Sequence, residues 1–291
     1  MTLSALQAAP KSGALIASRK ITNILFVGFC WLTAAIALSA LAAILISLFK
    51  EGIGGMNLHI FTMDTPAPGS EGGLRNAIVG SIMMCAVAMI IAVIVGVLAG
   101  TWLAEYAGSS AYGNLVRFVN DVLLSAPSIL IGLAIYQLLV APLHGFSGFA
   151  GSVALALLAA PVVTRTTEDV LKLQPSALRE AGVALGSPLA STIRRVLWRA
   201  AQTGILTGGL LAFARISGET APLLFTALNS QQFSLNMTKP MANLPSVIFQ
   251  GGLGAFDDLR KLAWAGALLI ALAVLIVNII ARMLAGGERR S

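Results

Sequence analysis

Charge is what this chain has least of. Of its 291 residues, 19 are Lys or Arg and 12 are Asp or Glu, together 11%, where a soluble globular chain carries about a quarter. With 57% apolar residues, too little polar side chain remains to coat a folded ball in water, so the composition is that of a membrane protein. Cysteine is as scarce: Cys30 and Cys85 both sit inside apolar runs, which excludes a disulfide framework or a zinc cluster and removes redox chemistry as a theme. No Gly-Lys dipeptide occurs, so there is no P-loop and no ATP hydrolysis by that route. His59 and His144 have no cysteine or acidic cluster at ligand spacing, so no metal site is expected. No basic run is interleaved with aromatics, and nucleic acid is therefore not an expected partner.

What the chain has is apolar length. Residues 21–49 carry no charge, and at ~1.5 Å per residue they more than cover a hydrocarbon core of ~30 Å; they are too long for a signal-peptide core and are expected to stay in the mature chain. Similar runs predict six spans, at about 21–49, 76–104, 115–140, 149–167, 200–226 and 261–284, forming one transmembrane domain over 21–291 behind a tail at 1–20. An even count puts both ends on one side. With that side cytoplasmic, its segments hold Lys11, Arg19, Lys20, Arg117, Lys172, Arg179, Arg194, Arg195, Arg199, Arg282, Arg289 and Arg290, against Lys50, Arg75, Lys239, Arg260 and Lys261 outside, as the positive-inside rule requires. The net charge of +7 then reads as topology and lipid contact. Asp121 reads best as a charge near a helix N-terminus. Gly96 with Gly100 and Gly204 with Gly208 are small-residue pairs that permit close helix packing.

The longest inner segment, about 168–199, is punctuated for a helix-turn-helix. Pro175 and Ser176 start a helix and Gly186 ends it, since glycine accepts the left-handed conformation of a helix terminus. Ser187 as N-cap and Pro188 in the first turn begin a second helix. Ala181, Ala184 and Leu185 make a flat apolar patch. The shape suits a docking element gripped by another protein; a segment lying on anionic headgroups through Arg194, Arg195 and Arg199 is the competing reading.

Arg215 and Glu219 fall inside the fifth run, where an ionisable group costs about 2.5 to 3.5 kcal/mol on insertion scales. Four residues apart, they are expected on one helix face, followed by the Thr220 hydroxyl and by Pro222, which loosens the helix. Either they neutralise each other as an ion pair, or Arg215 presents its planar fork to an anion crossing the membrane. A carboxylate repels a fully deprotonated oxyanion but accepts a hydrogen bond from one still carrying a proton, so Glu219 favours phosphate over sulfate.

Two sets of residues carry a resemblance. EAGVALG at 180–186 resembles the EAA loop of ABC importer permeases, which docks in a groove of the ATP-binding subunit, with Gly182 in place of the second alanine and Arg199 where a proline is usual. GGLRNAIVGSI at 72–82, GVLAGTWLAEYAG at 96–108, SAPSILIGLAIY at 125–136, PVVTRTTEDVL at 161–171 and ARISGETAPLLFTA at 214–227 resemble the PstA family, permease subunits of phosphate-specific ABC importers; Ala221-Pro222 separates this family from its sister, the PstC family, which has Met-Ala there. The resemblance implies an all-α integral membrane permease of the type I importer fold, working by alternating access in the bacterial inner membrane. It implies as partners a PstC-like sister permease, two ATP-binding subunits and a periplasmic phosphate-binding protein. No cofactor is expected on this chain, ATP being used by the partner, and the chain is no enzyme. By the same resemblance Arg215, Glu219 and Arg165 belong to the substrate pathway, to which Thr220 is added for its hydroxyl, and Glu180, Ala181, Gly182 and Gly186 belong to the coupling loop. Arg165 has an equal claim as a headgroup arginine. A permease for another oxyanion (phosphonate, molybdate or sulfate) and a mainly structural permease subunit are the alternatives. An intramembrane enzyme would need a nucleophile with a base or a paired acid, and the spans offer one deep acid and no histidine.

Overall fold

The computed structural model describes residues 13–287, and every element among them is helical. Lys11, Arg289, Arg290 and the first twelve residues of the expected tail lie outside the described residues. The chain divides into two units, one ending at Lys50 and the other running from Glu51.

The first unit is most of α1 (Gly13–Gly55), a helix of 43 residues that begins eight residues before the expected span. Ile24, Phe26, Phe29, Trp31 and Ile36 are each more than half exposed, so the helix is apolar all round, which suits lipid or a membrane-embedded partner.

The second unit follows in order: α2 (His59–Thr62), α3 (Arg75–Glu105), α4 (Ala111–Ser125), α5 (Ser128–Ile135), α6 (Gly148–Lys172), α7 (Ser176–Ala184), α8 (Leu189–Thr192), α9 (Trp198–Ser217), α10 (Ala221–Thr226), α11 (Leu244–Leu253) and α12 (Asp257–Gly287). Among the described residues four helices are long and apolar enough to cross a membrane, lying within α1, α3, α6 and α12. A fifth is reached if α4 and α5, with the π-helical turn Tyr136–Val140 after it, are taken as one bent span. Six are not found by length and composition. The expected third span is the bent pair, turned by 106°: Pro127 has no N–H to donate and forces Ala126 into extended backbone, ψ 136°, so the helix ends at Ser125 and a new one begins. The expected fifth span is two pieces, α9 and α10, interrupted at Gly218–Thr220. Arg199, Gln202 and Arg215 keep α9 below the apolarity of the others.

At the centre of the second unit is α6, with 16 of its 25 residues buried. Glycines let it lie close to a helix on either side. A side chain at Gly96 would meet the Val163 side chain at 2.6 Å and one at Gly100 the Thr164 carbonyl at 2.5 Å, while Gly204 of α9 faces Val170 at 2.5 Å. Backbones therefore approach closely on both sides of α6, where dispersion rather than water exclusion holds helices together. At the α2 end the segment 237–247 runs without helix until Leu244 and is buried from Met241 onward. Its backbone is stitched to protein: Leu244 N donates to Ser81 Oγ at 2.8 Å, Gly148 N to Lys239 O at 3.0 Å and Met241 N to Ala227 O at 3.1 Å. Irregular backbone enclosed this way is what a membrane-embedded loop requires.

Candidate transport site and docking segment

The helix break after α9 decides the surroundings of the four candidate pathway residues. α9 ends at Ser217, so Arg215 sits in its last turn, whereas Glu219 and Thr220 lie in the non-helical link to α10. They do not share one helix face, as the four-residue spacing suggested; Gly218 and the oncoming Pro222 end the helix between them. No Arg215–Glu219 ion pair forms among the described residues, which removes mutual neutralisation as their reason for being there. All three are half-buried. The single hydrogen bond of the Arg215 guanidinium among the described residues is a long one, 3.5 Å from Nη2 to Leu124 O at the end of α4. The Glu219 carboxylate and the Thr220 hydroxyl have no partner among the described residues. Beyond the break, α10 is seated on α5, where a side chain at Gly132 would meet Pro222 Cα at 2.6 Å.

Arg165 lies elsewhere, on α6, with 47% of its side chain exposed. It pairs with Asp169 at 3.2 Å and with Asp121 of α4 at 3.8 Å. Asp121 thus makes a cross-helix contact near the end of α4 instead of marking a helix N-terminus. Both arginines reach the last turns of α4, Arg165 at Asp121 and Arg215 at Leu124. One turn back along α4, Arg117 holds the buried Glu168 of α6 at 2.7 Å, and Lys172 holds the same carboxylate at 2.5 Å. Arg117 also donates to the carbonyls of Leu103 and Gly108 at 3.0 Å. Composition did not single out Glu168. The signal was present in its two basic neighbours, but only folding brings Arg117 to it across 51 residues.

The helix-turn-helix expected at 168–199, the candidate docking segment, forms largely as its punctuation predicts. α7 runs from Ser176 to Ala184, and Gly186 closes it with φ +73°, the left-handed conformation that disfavours any residue with a Cβ. The second helix starts one residue later than expected: Pro188, not Ser187, occupies the cap of α8, with no side-chain cap bond. Glu180, Ala181, Ala184 and Leu185 are exposed, and the Glu180 carboxylate has no partner among the described residues. Gly182 is tightly placed, since a Cβ there would meet the Thr192 side chain at 2.5 Å; the missing alanine is what lets α7 lie on α8. The missing proline at Arg199 also has a structural counterpart. A π-helical turn, Ile193–Leu197, joins α8 to α9 without a break, and Trp198 Nε1 donates to Thr101 Oγ1 of α3 at 3.0 Å to seat the junction.

Arg179 is the residue that sequence reading passed over as one more basic side chain. Its Nε and Nη2 hold the two oxygens of Glu105, the last residue of α3, at 2.8 and 2.6 Å. Nη2 and Nη1 donate to the carbonyls of Leu171 and Gln174, both at 2.9 Å. The Glu105 carboxylate raises the Arg179 guanidinium above its ordinary value, mainly through these hydrogen bonds.

A multi-helix membrane core with a short helix-turn-helix exposed at one end is the architecture of an importer permease, and comparison with known proteins bears this out. Residues 96–290 match the family model of the binding-protein-dependent transport system inner membrane component; the chain belongs to this family. It is a multi-pass membrane permease subunit of an ABC importer and not an enzyme, ATP hydrolysis residing in a separate subunit. More particularly, it is 51% identical to the phosphate transport system permease protein PstA of Haemophilus influenzae, over 91% of this chain and 94% of that one. It is 50% identical to the PstA of Pasteurella multocida, over 91% and 95%. Among solved structures it shares its fold with a chain of the MetNI methionine ABC transporter in inward-facing conformations, with a TM-score of 0.61 at 17% identity over 72% of this chain and 94% of that one.

Proposed function

We propose that the chain is the transmembrane permease subunit of an ATP-driven inorganic phosphate importer and forms the translocation pathway with a PstC-like sister permease. The observation that carries this is the break after α9. Three polar groups, Arg215, Glu219 and Thr220, are half-buried there, and among the described residues their side chains make one hydrogen bond, 3.5 Å from Arg215 to Leu124 O, although an intramembrane charge is costly unless it is used. A guanidinium fork takes two oxygens of a tetrahedral anion, the threonine hydroxyl donates to a third, and Glu219 accepts from the P–OH of singly protonated phosphate. Sulfate at the same pH carries no proton and is repelled. The relatives named for phosphate transport, half identical over nine-tenths of the chain, support the same substrate.

In this reading both termini and the segment 168–199 are cytoplasmic. The exposed face of α7, with Glu180 and Ala181, takes one of two ATP-binding subunits, while Gly182 seats the helix on α8 and Gly186 closes it. A periplasmic phosphate-binding protein delivers substrate at the α2 end. This chain binds no cofactor, ATP being used by the partner, and membrane lipid covers the apolar exterior. Arg165, salt-bridged and half exposed, serves further along the pathway on the α7 side of the break. The test is labelled-phosphate uptake by proteoliposomes holding the complete complex, with arsenate and sulfate as competitors. Arsenate, which is protonated as phosphate is, is expected to compete strongly and sulfate weakly. Equal competition by the two would sink the role given to Glu219, and uptake of another oxyanion in preference to phosphate would replace the substrate.

A further inference from the structure

The docking helix is held in place by very little. α7 has nine residues, none of them buried. Its apolar contribution to the packed cluster of Leu171, Ile193, Leu197 and Ala201 is the partly buried Leu178, and its other close approach is Gly182 against Thr192. A lever that passes force from an ATPase to membrane helices needs firmer attachment than this. The Arg179 guanidinium supplies it, with four hydrogen bonds of 2.6 to 2.9 Å to two other helix ends. It holds Glu105, 3% exposed, at the end of α3, and the Leu171 and Gln174 carbonyls where α6 runs out. The planar fork suits this use, because its donors point in fixed directions and an ammonium could not reach carboxylate and carbonyls together.

What lies beyond those two helix ends matters for transport. α3 and α6 are packed backbone to backbone at Gly96 and Gly100, and α6 carries Arg165 about 9 Å along its axis from Leu171. By contrast, the covalent route from α7 to Arg215 passes through the left-handed turn at Gly186, the four-residue α8 and a π-helical turn. We infer that Arg179 is a positioning residue that clamps α7 to the ends of α3 and α6, so that displacement of α7 moves this helix pair as one body. The inference rests on the reading of α7 as the ATPase docking helix.

The test uses the complete reconstituted complex and reads phosphate taken up per ATP hydrolysed. Arg179→Met, which keeps length and loses every donor, is expected to leave the complex assembled and hydrolysing ATP while uptake per ATP falls about tenfold, the scale of a typical coupling free energy. Arg179→Lys is expected to fall between. In a background lacking Cys30 and Cys85, the E105C/R179C double variant is expected to be uncoupled and to regain coupling when a short bifunctional thiol reagent bridges the two positions. Wild-type uptake per ATP in Arg179→Met, no recovery on bridging, or loss of assembly in Arg179→Met would each overturn the clamp. The docking reading is tested apart from it by Ala181→Asp on the exposed face. If the ATP-binding subunits still copurify with that variant, the docking reading fails whatever Arg179 does.

Discussion

Replacing Arg215 by Gln separates a packing arginine from one that meets substrate. Among the described residues the guanidinium makes one hydrogen bond, 3.5 Å to Leu124 O, and a hydrogen bond so long contributes at most about 1 kcal/mol. Against that stands the cost of an intramembrane cation, about 2.5 to 3.5 kcal/mol, which the substitution relieves. The fold should therefore lose nothing measurable, and thermal unfolding of the purified complex should be unchanged or shifted upward. For the anion the balance is opposite. Hydrogen bonds to charged groups contribute about 1.5 to 3 kcal/mol each, so losing a two-pronged grip amounts to about 3 to 6 kcal/mol, or roughly a hundredfold to ten-thousandfold in kcat/KM for uptake. Glutamine keeps one amide donor and should fall at the lower end, while Arg215→Lys, with charge but no fork, should retain more. The assay is labelled-phosphate uptake in proteoliposomes, with assembly and ATP hydrolysis measured on the same preparation. Uptake within about threefold of the unmodified complex, in an assembled and ATP-hydrolysing variant, would refute the reasoning and return Arg215 to a packing role.

Other substitutions probe the scaffold. Glu168→Ala removes a carboxylate 2% exposed and held by Arg117 and Lys172; it should cost about 3 kcal/mol, near the low end for a broken buried pair because Lys172 returns to water, whereas Asp169→Ala, in an exposed pair with Arg165, should cost under about 1 kcal/mol. Equal shifts in unfolding temperature for the two would contradict this ranking. Gly96→Leu drives a side chain into the fully buried Val163 and should destabilise by about 1 to 3 kcal/mol or more, while Gly209→Ala, with open space around it, should be neutral or mildly stabilising in the same unfolding assay. Gly182→Ala restores the alanine usual in EAA loops but collides with Thr192; it should weaken copurification of the ATP-binding subunits, and Gly182→Ala with Thr192→Ala should recover it, non-additivity being the expected sign of contact.

Composition and local residue order are enough to set the solvent, the helical class and the chemistry available. Apolar runs with almost no charge leave the backbone of α1, α3, α6 and α12 no stable option in a bilayer but the helix, whatever surrounds them. Gly186 ends α7 because only the absence of a Cβ makes φ +73° easy, a local rule readable without any neighbour. Tertiary structure decided what depends on partners distant along the chain. Arg215 and Glu219 look paired by spacing, yet α9 ends at Ser217 between them and α10 is seated on α5, with Pro222 against Gly132. The 115–140 run looks like one span, yet Pro127 turns it by 106° so that α5 can meet α10. Periodicity cannot distinguish Arg179, which fastens α7 to the ends of α3 and α6, from Arg194 or Arg195, because its partner Glu105 is 74 residues away. A charge shows in the sequence as a cost to be met; which group meets it is settled only when the helices pack.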